Sequence, residues 1–301
     1  MIIHMLWYSS IKLCREYIMK VIVITNDKGG EGKTFNSIIV SEYSSIVLKK
    51  STLAIDLDPQ GNFSGRLIKM TKDKTPPLHP DYNPDEDEDW DGISSIADIF
   101  YGMPIIPYPT RIPNLELAPA HKQKLLEAQA VTTYEVAEKI HVRLKQFLEV
   151  EEVRQKYEVV VIDTPPVMGP LTISAVKAAS HIIIPATMEQ FSIEGIYGMM
   201  QLWKQETYIR KENNPINLAG ILPNKYRDIS LHKQLMGQLK KMPSIGQYVI
   251  PYEIKLRAIY TEILAEGAIP KSIFELSENH VARQEIETVY KCITERIFNN
   301  G

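Results

Sequence analysis

An α/β fold with a mostly parallel, doubly wound sheet and helices on both faces is what this 301-residue sequence predicts, and three observations carry it. Short, continuously apolar runs rich in β-branched residues recur along the chain, as strands buried on both faces require. Most are separated by stretches long enough for a helix, the alternation that lays helices over a parallel sheet. The first run leads through a glycine-rich turn directly into a helical pattern, and ligands of such sheets bind at the carboxyl ends of the strands. With 44% hydrophobic and 24% charged residues, the chain holds an ample core.

The elements follow in order. KVIVIT (20–25) is the first strand, and residues 33–50 carry helical periodicity after it. TLAIDLD (52–58) is the second. From about 70 to 90 the chain reads TKDKTPPLHPDYNPDEDEDW, rich in Pro and Asp and poor in periodic apolar residues, which predicts a long surface insertion. Its acidic run, Asp85 to Asp89, reads as a solvated, mobile loop in preference to a docking site for a basic segment. LELAP (115–119), VVVIDTPP (159–166), HIIIPAT (181–187), LAGILPN (218–224) and YVIPY (248–252) are the further apolar segments, with helix-length stretches at 121–156 and 192–213. There is no internal repeat. The expected organisation is an extension over residues 1–19, then one domain from 20 to 301 carrying the acidic insertion.

Composition also excludes function classes. Cys14 and Cys292 lie at opposite ends and form no C-x-x-C pair, so neither a disulfide framework nor a cysteine metal or iron–sulfur site is indicated, and a reducing cytoplasm fits. No apolar run approaches the roughly 20 residues needed to cross a bilayer. The opening MIIHMLWYSSIKLCREYI lacks the continuous apolar stretch and cleavage site of a secretory signal; it reads as an extension or upstream start before Met19, the sharper alternative being a short helix that docks on a partner. The net charge of −3 is unevenly spread: residues 71–100 hold nine Asp/Glu against two Lys, and 201–260 hold ten Lys/Arg against four Asp/Glu.

The chemistry centres on NDKGGEGKTF (26–35). A strand-to-helix turn aims backbone N–H groups and the positive helix end at one point, and Gly29, Gly30 and Gly32 let the backbone close around a phosphate there. Lys33 then reaches the β- and γ-phosphates, and the Thr34 hydroxyl takes Mg2+. VVVIDTPP supplies Asp163 as a second metal-side carboxylate. AIDLDPQGN offers Asp56 and Asp58 at the end of the second strand, Asp56 on the metal side and Asp58 to orient the attacking water.

Together KGGEGKT, LAIDLDPQGN and VVVIDTPP resemble the deviant Walker A, A′ and B motifs of the ParA/MinD class of ATPases, specifically its ParA branch. The resemblance extends through NLELAPA (114–120), LTISAVKAASHIIIPATMEQFSIEGI (171–196) and VIPYEIKLRAIY (249–260), covering nearly all of 20–297 outside the insertion. It implies a P-loop NTPase fold, ATP/ADP and Mg2+ as cofactors, and a homodimer that sandwiches ATP, in which Lys28 reaches across to the partner's phosphates. Two departures stand out: Phe35 replaces a second Thr whose hydroxyl is expected at the α-phosphate, and Glu31 puts a carboxylate into the loop, expected to point toward the dimer seam. By the same resemblance Asn224 bonds the adenine, with Pro251 and Tyr252 as walls.

The resemblance further implies a DNA-partitioning ATPase that binds double-stranded DNA nonspecifically as an ATP dimer and is released when a ParB-like centromere-binding protein stimulates hydrolysis. Lys240, Lys241, Lys255 and Arg257 are the DNA-facing candidates, because lysine and arginine contacts to phosphate dominate nonspecific affinity. Residues before Lys20 leave no room for a helix-turn-helix domain, so operator binding is not expected. The expected location is cytoplasmic and nucleoid-associated, without membrane contact. The alternative is a MinD-like membrane-positioning ATPase, which needs a C-terminal amphipathic anchor; VYKCITERIFNNG carries only two cations and reads better as a packed helix. Electron-transfer members need cluster cysteines, against which the positions of Cys14 and Cys292 argue.

Overall fold

A computed structural model describes residues 18–87, 89–210, 214–265 and 267–299, apart from the side chains of Gln190 and Phe191. Residues 1–17 of the expected extension and Glu88 of the acidic run lie outside the described residues. Seven strands form one sheet in the order β3-β4-β2-β5-β1-β6-β7. They are β1 (Lys20–Ile24), β2 (Thr52–Asp56), β3 (Tyr108–Pro109), β4 (Leu115–Ala118), β5 (Val159–Asp163), β6 (His181–Thr187) and β7 (Asn217–Asn224). Every pairing is parallel except that of β3 with β4.

The continuous apolar runs arise because both faces of the sheet are covered. Alternate residues of one strand enter different cores: Val21 and Val23 join one, Ile22 and Ile24 the other. The first core contains Ile140, Leu144 and Leu148 of α4 (Tyr134–Leu148), Leu171 and Ala175 of α6 (Pro170–Ala178), and Ile196 and Met199 of α7 (Gln190–Arg210). It also takes in α3 (Lys122–Gln129) and α8 (Ser230–Lys241) through Leu125 and Leu239. The second contains Ile39 and Val40 of α1 (Lys33–Glu42) and Ile286, Val289, Tyr290 and Ile293 of α10 (Val281–Phe298). Short helices α2 (Asn62–Leu67), α5 (Glu151–Lys156) and α9 (Ala258–Glu262) complete the set.

One local expectation is corrected, and one region gains detail. YVIPY makes only an isolated bridge, Ile221 to Val249, and its preceding residues form a 3-10 turn; Pro251 has no N–H with which to extend a ladder. The acidic insertion is folded around aromatic rings. His79 is buried, its ring 4.6 Å from that of Tyr108 and 5.7 Å from that of Trp90, and Tyr82 meets Trp90 edge-on at 5.5 Å. Beside this cluster Asn83 N–H bonds the Asp87 carboxylate at 2.8 Å.

Candidate nucleotide and metal site

Between β1 and α1 the chain turns through residues 25–32 at the carboxyl end of the sheet. The turn demands glycine where φ is positive: Gly30 has φ 85° and Gly32 φ 88°. Gly32 has a second reason, since a Cβ there would lie 2.0 Å from Asn224 Nδ2. Asn26 fixes the loop's entry, donating to the Pro185 carbonyl at 2.8 Å and accepting the Lys28 N–H at 3.1 Å. Glycines of α7 permit this approach, because a Cβ at Gly195 would meet Asn26 Oδ1 at 2.6 Å and one at Gly198 would meet Asp27 Oδ2 at 2.7 Å. Sequence reasoning missed this face, although two glycines three residues apart inside a helix are an unusual signal.

Three further predicted residues meet at the neighbouring strand ends. Asp56 and Asp163 are register partners on β2 and β5, both fully buried. Thr34 Oγ1 donates to Asp163 Oδ2 at 2.8 Å, and Ser37, one turn along α1, donates to Oδ1 at 2.8 Å. Asp56 accepts the amide and hydroxyl of Ser64 on α2, each at 2.7 Å. Burial, with the facing Asp56, pushes the Asp163 carboxyl up to about 8. Burial pushes Asp56 up to about 7, against the pull of Ser64. Two carboxylates side by side in an apolar setting call for a proton or a cation between them. The donor set is all oxygen, which suits Mg2+, an ion that keeps several waters and takes phosphate oxygens beside one or two protein ligands. Among the described residues no group of three or more His, Cys, Asp or Glu side chains could hold a metal ion.

Lys33 is buried and donates to the Lys28 carbonyl at 2.8 Å; desolvation lowers its pKa against the pull of Asp163 and Asp58. Asp58 is half-buried beside it and accepts the Gln60 N–H at 2.9 Å, with burial raising its pKa. Gly29 and Gly30 lie exposed at the tip of the turn.

Glu31 corrects the expectation that its carboxylate points toward a dimer seam. It is 1% exposed and turns inward onto the end of β6. One oxygen accepts the Thr187 N–H at 2.5 Å, and the other accepts the Ser192 hydroxyl at 2.9 Å and lies 3.4 Å from Lys28 Nζ. The amide of Thr187, the last residue of β6, supplies the reason: a carboxylate reaching it gains a charge-assisted bond. Lys28 also lies 3.3 Å from the Ser192 hydroxyl and 3.6 Å from Glu189.

Residues 19–218, two thirds of the chain, match the family described as an AAA domain. The chain is 30% identical over 273 residues to the Bacillus subtilis sporulation initiation inhibitor protein Soj, covering 83% of this chain and 98% of that one. The chain belongs to the ParA/MinD-type ATPases. The Caulobacter vibrioides chromosome partitioning protein ParA is 26% identical over 262 residues, covering 79% of this chain and 88% of that one. In fold, the chain resembles a Borrelia burgdorferi plasmid partition protein solved with AMPPNP, at a TM-score of 0.69 and 20% identity over 93% of this chain and all of that one.

A cavity of ≈ 200 Å³ opens beside the turn, with Gly32, Phe35, Asn224, Ile254, Leu256 and Tyr260 in its walls. Asn224 reaches it at the end of β7, where its amide donates to the Glu31 carbonyl at 2.7 Å, so this side chain braces the turn. Phe35 meets the Tyr260 ring at 5.2 Å. Pro251 and Tyr252 are exposed and do not line the cavity. The apolar walls of this cavity come from Ile254, Leu256 and Tyr260, a few positions later, which no local pattern marks.

The four candidate cations for DNA divide into two places. Lys240 and Lys241 are exposed in the last turn of α8. Lys255 and Arg257 border the 200 Å³ cavity. Arg257 is held by Glu285 of α10 through Nε at 3.1 Å and a second nitrogen at 2.6 Å, and Lys255 lies 3.3 Å from Asp228.

Proposed function

We propose that this chain is an ATP-dependent partitioning ATPase that forms an ATP-sandwich homodimer, binds double-stranded DNA nonspecifically and hydrolyses ATP slowly until a ParB-like partner stimulates it. The observation that carries the ATPase reading is the convergence of Lys33, Thr34, Asp56, Asp58 and Asp163 at one end of the sheet, beside a turn with two positive-φ glycines. The names of the Caulobacter and Borrelia relatives support the partitioning role.

The chain's own groups divide the work. Backbone N–H groups of Gly29 to Lys33 face the triphosphate, and Lys33 leaves the Lys28 carbonyl for the β- and γ-phosphates. The Thr34 hydroxyl, which donates to Asp163, would offer its oxygen to Mg2+, and Asp56 and Asp163 would hold the ion's water molecules. Mg2+ supplies charge neutralisation at the β- and γ-oxygens. Asp58 orients the attacking water. Lys28 gives up Glu31 and Glu189 for the partner's phosphates, supplying positive charge in trans as an arginine finger does. Phe35 and Tyr260 offer a planar base an aromatic edge.

The packing of α10 favours partitioning over a MinD-like membrane role: its apolar residues Ile286, Val289, Tyr290, Ile293 and Ile297 are all buried in the second core. No helix among the described residues is long and apolar enough to cross a membrane. The discriminating experiment is binding to random duplex DNA across a salt series with ATP, with ADP and without nucleotide, alongside anionic vesicles. The expected result is ATP-dependent DNA binding that falls steeply with salt. Binding to vesicles alone, or to neither, contradicts the proposal.

A further inference from the structure

Beyond the end of β7 the chain fixes one lysine more firmly than its exposure calls for. Lys225 follows Asn224, the last residue of β7, and precedes Tyr226, and both neighbours are buried. The Tyr226 N–H donates to the Ile254 carbonyl at 2.9 Å, and the Tyr226 carbonyl accepts the Leu256 N–H at 2.9 Å, so the backbone is tied just after Lys225 as well as before it. Between these ties Lys225 takes φ 49°, in the left-handed region that a side chain disfavours. Its ammonium donates at 2.7 Å to the Gly30 carbonyl, 195 residues earlier at the tip of the phosphate-binding turn.

Fold stability does not account for this arrangement. An exposed lysine that bonds a neutral carbonyl exchanges one hydrogen bond to water for another, and it gives up the rotamer freedom of a long side chain. The strained backbone adds to the cost, and such strain gathers at ligand sites. What the arrangement does produce is a bridge. The carbon stem of Lys225 runs from the end of β7 to Gly30, and Lys225 lines the ≈ 200 Å³ cavity together with Gly32, Phe35 and Tyr260. Beside it Asn224 holds the next carbonyl of the turn, that of Glu31, at 2.7 Å. Two consecutive residues thus grip two consecutive carbonyls of the turn. Lys255 and Arg257 in the same cavity wall face the carboxylates of Asp228 and Glu285, whereas the Lys225 ammonium keeps its charge beside a neutral oxygen.

Building on the nucleotide reading of the turn, we propose that Lys225 is a further nucleotide-binding residue: its stem covers one face of the base and sugar in this cavity, and its ammonium couples that cover to the turn that holds the triphosphate. Lysine stems lie along apolar surfaces while the charged head stays at the polar edge, and a base with its sugar and phosphates presents that sequence of surfaces. Phe35 and Tyr260, whose rings meet at 5.2 Å, give the cavity a second flat apolar surface. Because the stem is held at both ends before the nucleotide arrives, little ordering remains to be done on binding. The contact is to base and sugar, so it adds affinity that a bare phosphate chain does not draw on.

The test is calorimetric titration of a nonhydrolysable ATP analogue with Mg2+, and separately of inorganic tripolyphosphate with Mg2+, into the parent, Lys225→Ala and Lys225→Met chains. Lys225→Ala is expected to weaken the ATP analogue by about tenfold, the worth of roughly two buried methylenes, and to change tripolyphosphate by less than about twofold. Lys225→Met keeps an unbranched stem without the ammonium, and is expected to recover about half or more of the lost ATP-analogue affinity on a logarithmic scale. Equal losses for the two ligands assign Lys225 to the turn alone and overturn the contact with base and sugar. Affinity of Lys225→Ala for the ATP analogue within about twofold of the parent overturns it as well, and so does Lys225→Met binding no better than Lys225→Ala. A parent chain that binds neither ligand contradicts the nucleotide reading itself and takes this assignment with it, a failure visible before any variant is made.

Discussion

Replacing Glu31 by Ala removes the acceptor of three donors at once: the Thr187 N–H at 2.5 Å, the Ser192 hydroxyl at 2.9 Å and Lys28 Nζ at 3.4 Å. Thr187 N–H closes β6 in a buried setting, so it loses its bond outright, whereas Ser192 keeps a contact with Thr187 Oγ1 at 2.7 Å. Bonds to a charged group are worth about 1.5–3 kcal/mol each, or about 3–6 kcal/mol for two. The carboxylate's own desolvation cost disappears with it and offsets part of this. The expected net loss is about 2–4 kcal/mol, with Glu31→Gln, which keeps an acceptor for Thr187, losing about half. Urea unfolding of the three chains measures it, provided the slopes stay equal. A Glu31→Ala chain within about 0.5 kcal/mol of the parent refutes the tether between turn and β6, because a change that small is typical of an uninvolved surface site.

Four further outcomes are expected. Lys33→Ala and Asp58→Ala both abolish Mg2+-dependent phosphate release; a parental rate in Asp58→Ala removes that residue from water orientation. Phe35→Thr tightens a nonhydrolysable ATP analogue by about 0.5–1.5 kcal/mol through the regained hydroxyl, yet lowers stability by about 1–2 kcal/mol through loss of the Tyr260 contact; calorimetry and thermal unfolding read the two separately. Burial pushes the Glu42 carboxyl up to about 7 from an ordinary 4.5, against the pull of Ser272 and Arg66. The folded chain therefore holds a proton that the unfolded chain has released between those values, so stability falls as pH rises through that window, by about 3 kcal/mol in full at about 1.4 kcal/mol per pH unit. Glu42→Gln should flatten that fall in urea midpoints taken from pH 5 to 8, and an unchanged slope contradicts the assignment. Lys240→Glu with Lys241→Glu should weaken ATP-dependent binding to all duplex sequences alike and reduce the salt slope by about 2; an unchanged slope takes these residues out of the DNA contact.

The parts legible in the sequence are those whose cause is local. Strands such as KVIVI and VVVID announced themselves because burial on both faces leaves no polar alternation, and the turn did so because its glycines, Lys33 and Thr34 are contiguous. What stayed hidden depends on partners far along the chain. The direction of Glu31 is set by the Thr187 amide 156 residues later, and the second hold on Asp163 comes from Ser37, a residue with no motif of its own. The order in the acidic insertion was missed because His79, Tyr82, Trp90 and Tyr108 are spaced without period and meet only when β3 folds back on β4. The cavity walls Ile254, Leu256 and Tyr260 stayed hidden because the path of the chain beyond β7 obeys neither helix nor strand spacing.

The central claim is that ATP, held by the turn and by Lys28 of a second copy, joins two of these chains. The most direct measurement is the molar mass in solution of the Asp58→Ala chain by light scattering, with Mg2+ and either ATP or ADP. A mass of twice the 34.4 kDa chain with ATP, the single-chain mass with ADP, and the single-chain mass with ATP once Lys28→Ala is added is the predicted pattern. A mass that does not respond to ATP, or a dimer indifferent to Lys28→Ala, contradicts the account.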